Sequence, residues 1–508
     1  MTDALEWGGD RIAVHDAIGP LSYRELSRWS RELAHQVLAA GGGDAEVVPL
    51  LLPNSASWLA AYAALLRTGS IVAPLNPALT SAEIARVLDR SRPRLVLTTA
   101  ARRAEVSELC TAAGLAPRVR ILVVPPRPPA SAPAAGKDDG PWPAGSGLSG
   151  QHCMVMHTSG TTGEIRAMVQ TDQALHLATS SWARSFRVSS DQVALPIPMA
   201  HTYGHLVAAA TLLAGARLLV DETPFDPGRW ARRLVAGEVT VIEAVPSVFG
   251  RLLDALDPAD GALSRLRLSL SAGQQAPDRL RSAWQRRTGT ELQQSWGMTE
   301  LAGPGLAPLP GTCPASAGVP VMGLEVRIVN PADGTAEQLP VGVTGELWVR
   351  GPQVTPGHRA DSRRPLPVTD PQGWLRTGDL ARRDEHGCIT LVGRSKDAIM
   401  TNGYTVQPAE VEEVLLGHPQ VHEAVVLGRA DEQRGEAVHA VVVPRPGESA
   451  VSASDIIDHC ARLLARHKVP RTVDLVDQLP TTATGKVDRA SLRISSQLPR
   501  RGGRSVGR

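Results

Sequence analysis

The chain has 508 residues, of which 43% are hydrophobic and 20% charged, and its 53 Lys and Arg against 51 Asp and Glu leave a net charge of +2. This length exceeds what one hydrophobic core fills, so two or more domains are expected, and the balanced charge argues against a nucleic-acid or acidic-membrane partner. Cys110, Cys153, Cys313, Cys388 and Cys460 are scattered without a CxxC spacing, which supports neither a zinc site nor a disulfide framework and points to a reducing cytoplasm.

The N-terminal "MTDALEWGGDR" lacks the basic and apolar pattern of a signal peptide, and no uncharged apolar run is long enough to cross a bilayer, so a soluble cytoplasmic protein is expected. Ser22 and Glu25 have capping-box spacing and open a helix with Leu26, Trp29, Leu33 and Val37 on one face, ended by Gly41 to Gly43. "VVPLLLP", "SIVAPLNP" and "RLVLTT" read as strands, alternating with the helices "SASWLAAYAALLRTG" and "AEIARVLDRS". Strands this apolar, interleaved with helices, predict a parallel sheet covered on both faces. Residues 125–150 are rich in Pro, Ala, Gly and Ser and read as a surface segment.

"CMVMHTSGTTG" then reads as a buried strand running into a turn of small, hydroxylated and glycine residues. Thr158, Ser159, Gly160, Thr161, Thr162 and Gly163 lack the GK[ST] ending of a Walker loop, yet such backbone N–H and hydroxyl groups cradle phosphate oxygens without a lysine. Past Ala317, "LEVRIVN", "TGELWVRG" and "CITLVG" predict a smaller β-rich subdomain reaching to about residue 393. After it come a helix at Glu410 to Leu416, the strands "HEAVVLG" and "EAVHAVVVP", and the helix "ASDIIDHCARLLARH", a compact α+β unit. The organisation predicted is an α/β protein: an N-terminal region 1–393 of two parallel α/β subdomains plus a β-rich one, a small mobile α+β domain 394–495, and a basic flexible tail 496–508.

Seven segments occur in one order: "TSGTTG", "LPIPMAHTYGH", "SWGMTE", "GELWVRG", "GWLRTGDL", "GRSKDAIMTNGYTVQPAEVEEVL" and "LPTTATGKVDR". Together they resemble the adenylate-forming superfamily of acyl-CoA synthetases, peptide-synthetase adenylation domains and beetle luciferases, over roughly Ala13 to Leu492. The resemblance implies that ATP and a carboxylic acid form an acyl-adenylate, which a second nucleophile then attacks. Residues 158–163 would cover the β- and γ-phosphates, with Trp296 in the nucleotide site, Thr299 bonding the α-phosphate and Glu300 holding Mg2+. Asp379 would accept the ribose hydroxyls, Arg394 would also reach the ribose, and Lys396 would be the hinge about which the smaller domain swings. Lys486 would bridge the substrate carboxylate and the α-phosphate.

The same resemblance places Gly403 in a pantetheine tunnel and makes coenzyme A, or the phosphopantetheine of a free carrier protein, the acceptor. No thiolation-domain pattern follows Leu492, so the acceptor is expected to be a separate molecule, although a non-thiol nucleophile stays open. A nucleotide-binding pseudoenzyme is the reading from a different class. "PMAHTYGH" has no Asp to meet an α-ammonium, a pattern closer to aryl- or fatty-acyl-CoA ligases. His201, Tyr203, Gly204, Gly273, Gln274, Gly297 and Met298 are then the expected acyl pocket, and Gln274 with Gln275 would add amide donors. Three departures stand out. Ile165, Arg166 and Ala167 replace the usual Pro-Lys-Gly, with Arg166 keeping a positive charge; Asp172 replaces a His; Met400 stands where a lysine is frequent.

Overall fold

The computed structural model describes residues 2–43, 45–129, 152–159, 165–221, 225–258, 260, 263–308, 313, 316–330, 337–359, 365–402, 404–431, 433–445, 451–482 and 487–497. The chain divides into two compact units: Met1–Ala276 with Ser282–Val326 and Val349–Leu375, and Pro277–Arg281 with Arg327–Trp348 and Arg376–Arg508.

The first unit holds two large sheets. Its early elements follow local sequence rules. Ser22 caps the helix Tyr23–Ala39 and Glu25 returns the bond to the Ser22 backbone, while Leu26, Trp29, Leu33 and Val37 are buried. Such a cap is worth about 1 kcal/mol. Thr80 and Glu83 repeat the arrangement at the helix Ser81–Ser91. The strands Val47–Leu51, Ile71–Pro74 and Leu95–Thr98 pair in parallel, as their apolar runs predict. Arg120–Val123 extends this sheet on one side, also in parallel.

On its other side the sheet changes direction. His152–Ser159 lies parallel to Ile71–Pro74 but pairs antiparallel with Ile165–Thr171, Ser159 standing opposite Ile165. His358–Arg359 and Pro365–Leu366 continue antiparallel beyond it. The early strands pair in parallel as expected, and the antiparallel pair added beyond them needs no crossover helix.

The second sheet runs Leu292–Gln294, Leu268–Ser271, Val241–Ala244, Gln192–Leu195, Arg217–Val220, Ile12–Asp16 and Gly19–Ser22, parallel throughout except for its last hairpin. The helix Thr202–Leu213, buried along most of its length, follows Gln192–Leu195 and carries the "HTYGH" segment.

In the second unit, Leu375–Arg383 and Ile389–Arg394 form an antiparallel pair. A separate sheet of Ile399–Thr401, Tyr404–Val406, Gly435–Pro444, Val421–Asp431 and Thr472–Leu475 packs the helices Pro408–Leu416 and Ala453–Leu463. Val411, Leu415, Val426, Ala440, Val442, Ile456 and Cys460 are at most 1% exposed and form its core.

Cys110, Cys153 and Cys460 are free and buried, whereas Cys313 and Cys388 are disulfide-bonded, which their scattered spacing does not announce. No helix among the described residues is long and apolar enough to cross a membrane.

Candidate active site

The strand Ile165–Thr171, which leaves the hydroxyl-rich segment, anchors the neighbouring chemistry. Gln170 is buried, and its side-chain Nε2 donates to the Thr299 carbonyl at 3.0 Å. Thr355 links the same strand to Glu300: its hydroxyl donates to the Val169 carbonyl, and its backbone N–H donates to the Glu300 carbonyl at 2.7 Å. Thr299 and Glu300 occupy a single 3-10 turn, Thr299–Leu301, directly after the short strand Trp296–Met298. So short a turn has little intrinsic stability; these external bonds hold its carbonyls in place.

The start of the helix Thr202–Leu213 meets this turn. The Thr202 hydroxyl donates to the Thr299 hydroxyl at 3.2 Å. His201 is the N-cap, and its Nδ1 accepts from the Tyr203 backbone N–H at 3.4 Å. A ring nitrogen that accepts carries no proton, so in the neutral ring the proton sits on Nε2. His201 therefore has a structural task in addition to the pocket role expected of it. One residue on, the Tyr203 hydroxyl donates to the Leu270 carbonyl at 3.3 Å.

Gly204 and Gly297 are set by close backbone approach: a Cβ would stand 2.1 Å from the Pro198 carbonyl oxygen at the first and 2.3 Å from the Gly303 carbonyl oxygen at the second. Gly273 lies in the turn after Leu268–Ser271. Gln294 braces that turn, donating to the Gln274 carbonyl at 2.9 Å and accepting from the Ala276 N–H at 2.8 Å. Trp296 is buried and Met298 half-buried beside Gly297.

In the second unit, Asp379 and Arg394 are cross-strand partners of the antiparallel pair, and Arg394 Nε donates to Asp379 Oδ1 at 2.7 Å. The Thr377 hydroxyl accepts the Asp379 backbone N–H at 3.0 Å, which fixes the carboxylate's starting point. Lys396 sits on the turn Ser395–Asp397 immediately after Arg394.

The structure thus brings Thr299 and Glu300 together with the helix start at His201 to Gly204, and Asp379 together with Arg394. Gly160, Thr161, Thr162, Gly163, Gly403 and Lys486 lie outside the described residues, as do positions 130–151 of the Pro-rich segment and 498–508 of the tail. Thr158, Ser159 and Arg166 are placed only as strand positions, with Thr158 opposite Arg166.

Four residues escaped the sequence reading. Gln170, Thr202 and Thr355 act through hydrogen bonds that sequence spacing does not reveal. Glu243 carried a readable signal, a single acid inside the apolar run "VTVIEAVP". Both its side-chain oxygens are buried without a hydrogen-bond partner, and burial pushes its carboxyl well above the usual carboxylate range.

Among the described residues there is no group of three or more His, Cys, Asp or Glu that would hold a metal ion.

Comparison with known proteins places this geometry. The AMP-binding enzyme model matches residues 2–358 and the AMP-binding enzyme C-terminal domain model matches 410–486. A feruloyl-CoA synthase from Amycolatopsis sp is 33% identical over 488 residues, 95% of this chain and 95% of that protein. The anthranilate CoA ligase AuaEII, solved in complex with anthranoyl-AMP, is 25% identical with a TM-score of 0.84, covering 98% of this chain and 97% of its own. ATP-bound MatB from Rhodopseudomonas palustris is 25% identical with a TM-score of 0.82, covering 97% of this chain and 98% of its own.

Proposed function

The chain belongs to the AMP-binding enzyme family, and from that membership we propose that it is an AMP-forming acid–thiol ligase acting on a small carboxylic acid with coenzyme A as acceptor. The observation that carries the reading is the wiring of the hairpin strand to the turn: Gln170 holds the Thr299 carbonyl, and Thr355 binds both Val169 and Glu300. The strand that leaves the phosphate segment and the turn that carries Thr299 and Glu300 are then tied together, which is what catalysis by positioning requires.

In the first step a carboxylate oxygen attacks the α-phosphorus and the α–β bridging oxygen leaves with pyrophosphate. In the second the coenzyme A sulfur attacks the acyl carbon and AMP leaves. Both steps build charge on oxygen, which preoriented donors stabilise. Residues 158–163 cover the β- and γ-phosphates, with Arg166 adding a charge that forks to phosphate oxygens. The Thr299 hydroxyl, set by Thr202, serves the α-phosphate. Asp379 binds the ribose, and its bond to Arg394 keeps both side chains turned toward one ligand. Glu300 would hold Mg2+, which offsets the crowded phosphate charge when bound. Lys486 bridges carboxylate and phosphate in the first step and departs as the 394–495 domain turns about Lys396, bringing Gly403 to the thiol arm. A cytoplasmic location supplies both ATP and coenzyme A.

ATP–pyrophosphate exchange against a panel of carboxylic acids tests the reading, with acid-dependent exchange expected. Exchange with none of them would overturn it. Thioester formation from coenzyme A, compared with free carrier proteins, then tests the acceptor; thioester on carrier protein alone would replace coenzyme A.

A further inference from the structure

Glu243 is the most unusual buried group outside the phosphate-handling residues. It is 0% exposed, sits in the strand Val241–Ala244 among Val241, Ile242 and Ala244, and neither carboxyl oxygen has a hydrogen-bond partner among the described residues. A buried acid left this way costs folding free energy with no structural return, since an apolar side chain of similar shape would remove the cost.

Two relationships show where the carboxyl faces. First, it lies beside the Tyr203 phenol: burial, and then the neighbouring Glu243 carboxyl, push that phenol above its ordinary range. Second, the sheet register runs Glu243, Leu270, Gln293 across three parallel strands, so these side chains share one face. Gln293 Oε1, on that face, is also buried without a partner. Apart from the interaction of Glu243 with the Tyr203 phenol, the Glu243 carboxyl and Gln293 Oε1 lack donors on this face, and a ligand that supplies N–H groups satisfies their acceptor oxygens.

Thr202 and Tyr203 connect this face to the reacting end. They are adjacent in the first turn of one helix; Thr202 meets Thr299, while Tyr203 reaches the Leu270 carbonyl and Glu243. Two adjacent residues thus link the turn at Thr299 to the face that carries Glu243.

We infer that Glu243 is a specificity-determining residue of the acyl site, and that the acid this enzyme activates carries an amino group at the end remote from its carboxylate. The inference rests on the acid–thiol ligase reading above. A site built to hydrogen-bond a substrate group discriminates strongly against analogues lacking it, because its own polar atoms are then left buried and unpaired.

The test uses the full chain and matched acids: amino-, hydroxyl- and methyl-substituted benzoates, phenylacetates and phenylpropanoates, compared by kcat/KM for pyrophosphate exchange. The expected result is a preference of at least about ten-fold for the amino member over its methyl counterpart in the best-fitting series. Glu243→Gln lowers amino-acid turnover about 10- to 100-fold while leaving the methyl member unchanged, and Glu243→Leu reverses the preference. The melting temperature of Glu243→Leu without substrate is expected to equal or exceed that of the parent, because an unpaired buried acid has been removed. A parent enzyme that turns over these acids but favours the methyl or the hydroxyl member, or a Glu243→Leu variant that keeps the parent's preference, overturns the inference and leaves the ligase reading standing. Exchange with no acid of any kind overturns the ligase reading and this inference with it.

Discussion

Arg394 and Asp379 face one another across adjacent antiparallel strands, the guanidinium Nε donating to the carboxylate at 2.7 Å. Fifteen residues separate them in the chain, and the register of the two strands makes them neighbours. Asp379 meets Arg394 through one oxygen in this contact, and the side chains are 12% and 43% exposed respectively.

Asp379→Asn is expected to raise the KM for ATP at least about ten-fold, because a charge-assisted acceptor for hydroxyl groups becomes a weaker neutral one. Stability should also fall, by about 1–2 kcal/mol, since Asp379 is only 12% exposed at its side chain and loses a charge-assisted bond. Exchange kinetics with varied ATP, together with thermal melting, checks both halves. A large loss of stability at unchanged KM would assign the pair a purely structural role.

The Thr202 hydroxyl donates to the Thr299 hydroxyl at 3.2 Å. Thr202→Val keeps the shape and removes the bond, so kcat for adenylate formation should fall about five- to ten-fold, the equivalent of about 1 kcal/mol. Thr202→Ser should restore most of it. Unaltered kcat in Thr202→Val would mean that Thr299 needs no orienting partner.

Lys486→Ala is expected to abolish adenylate formation while thioester formation from supplied acyl-adenylate is largely kept, if, as proposed, the ammonium serves the first step and leaves before the second. The two half-reactions, measured separately, decide it. Equal loss of both would contradict the assignment.

His205 is 1% exposed, and its ring packs edge-on to Tyr62 at 4.8 Å with Trp58 close by. Burial holds its pKa down to about 4, against an ordinary 6.5. Between these values the unfolded chain binds the proton that the folded chain refuses. The stabilisation is therefore complete above about pH 6.5 and is lost as pH falls toward 4, by up to about 1.4 kcal/mol per unit. His157 is held down to about 4 in the same way and adds to the slope. His205→Phe should reduce the acid sensitivity by close to one proton's worth, read from denaturant melts at pH 4.5 to 7. An unchanged slope would show that another group sets it.

The elements most legible in the sequence are those whose cause is local. The Ser22–Glu25 and Thr80–Glu83 boxes start their helices where the pattern of hydroxyl and acid lies only three residues apart. Apolar runs such as "RLVLTT" announce buried strands because burial on both faces leaves no room for alternation. The hairpin at Ser159 and Ile165 was not legible: "CMVMHTSGTTG" reads as a strand entering a turn, and whether the chain then forms a helix or folds back depends on which edge is free to pair. Gln170 and Thr355 are ordinary polar residues in sequence, made important by bonds to Thr299 and Glu300 that span 129 residues in one case and join separate segments in the other.

From the sequence alone came the chemistry: ordered motifs name the residue types that bind phosphate, ribose and carboxylate, since each needs a particular donor or acceptor. Only the tertiary structure decided how those residues are held and what else they meet. His201 became a helix cap, Asp379 acquired Arg394, and Glu243 became a fully buried acid beside Tyr203. The physical reason is that a side chain's worth depends on its burial and partners. Strands and helices distant in sequence supply both only when they pack.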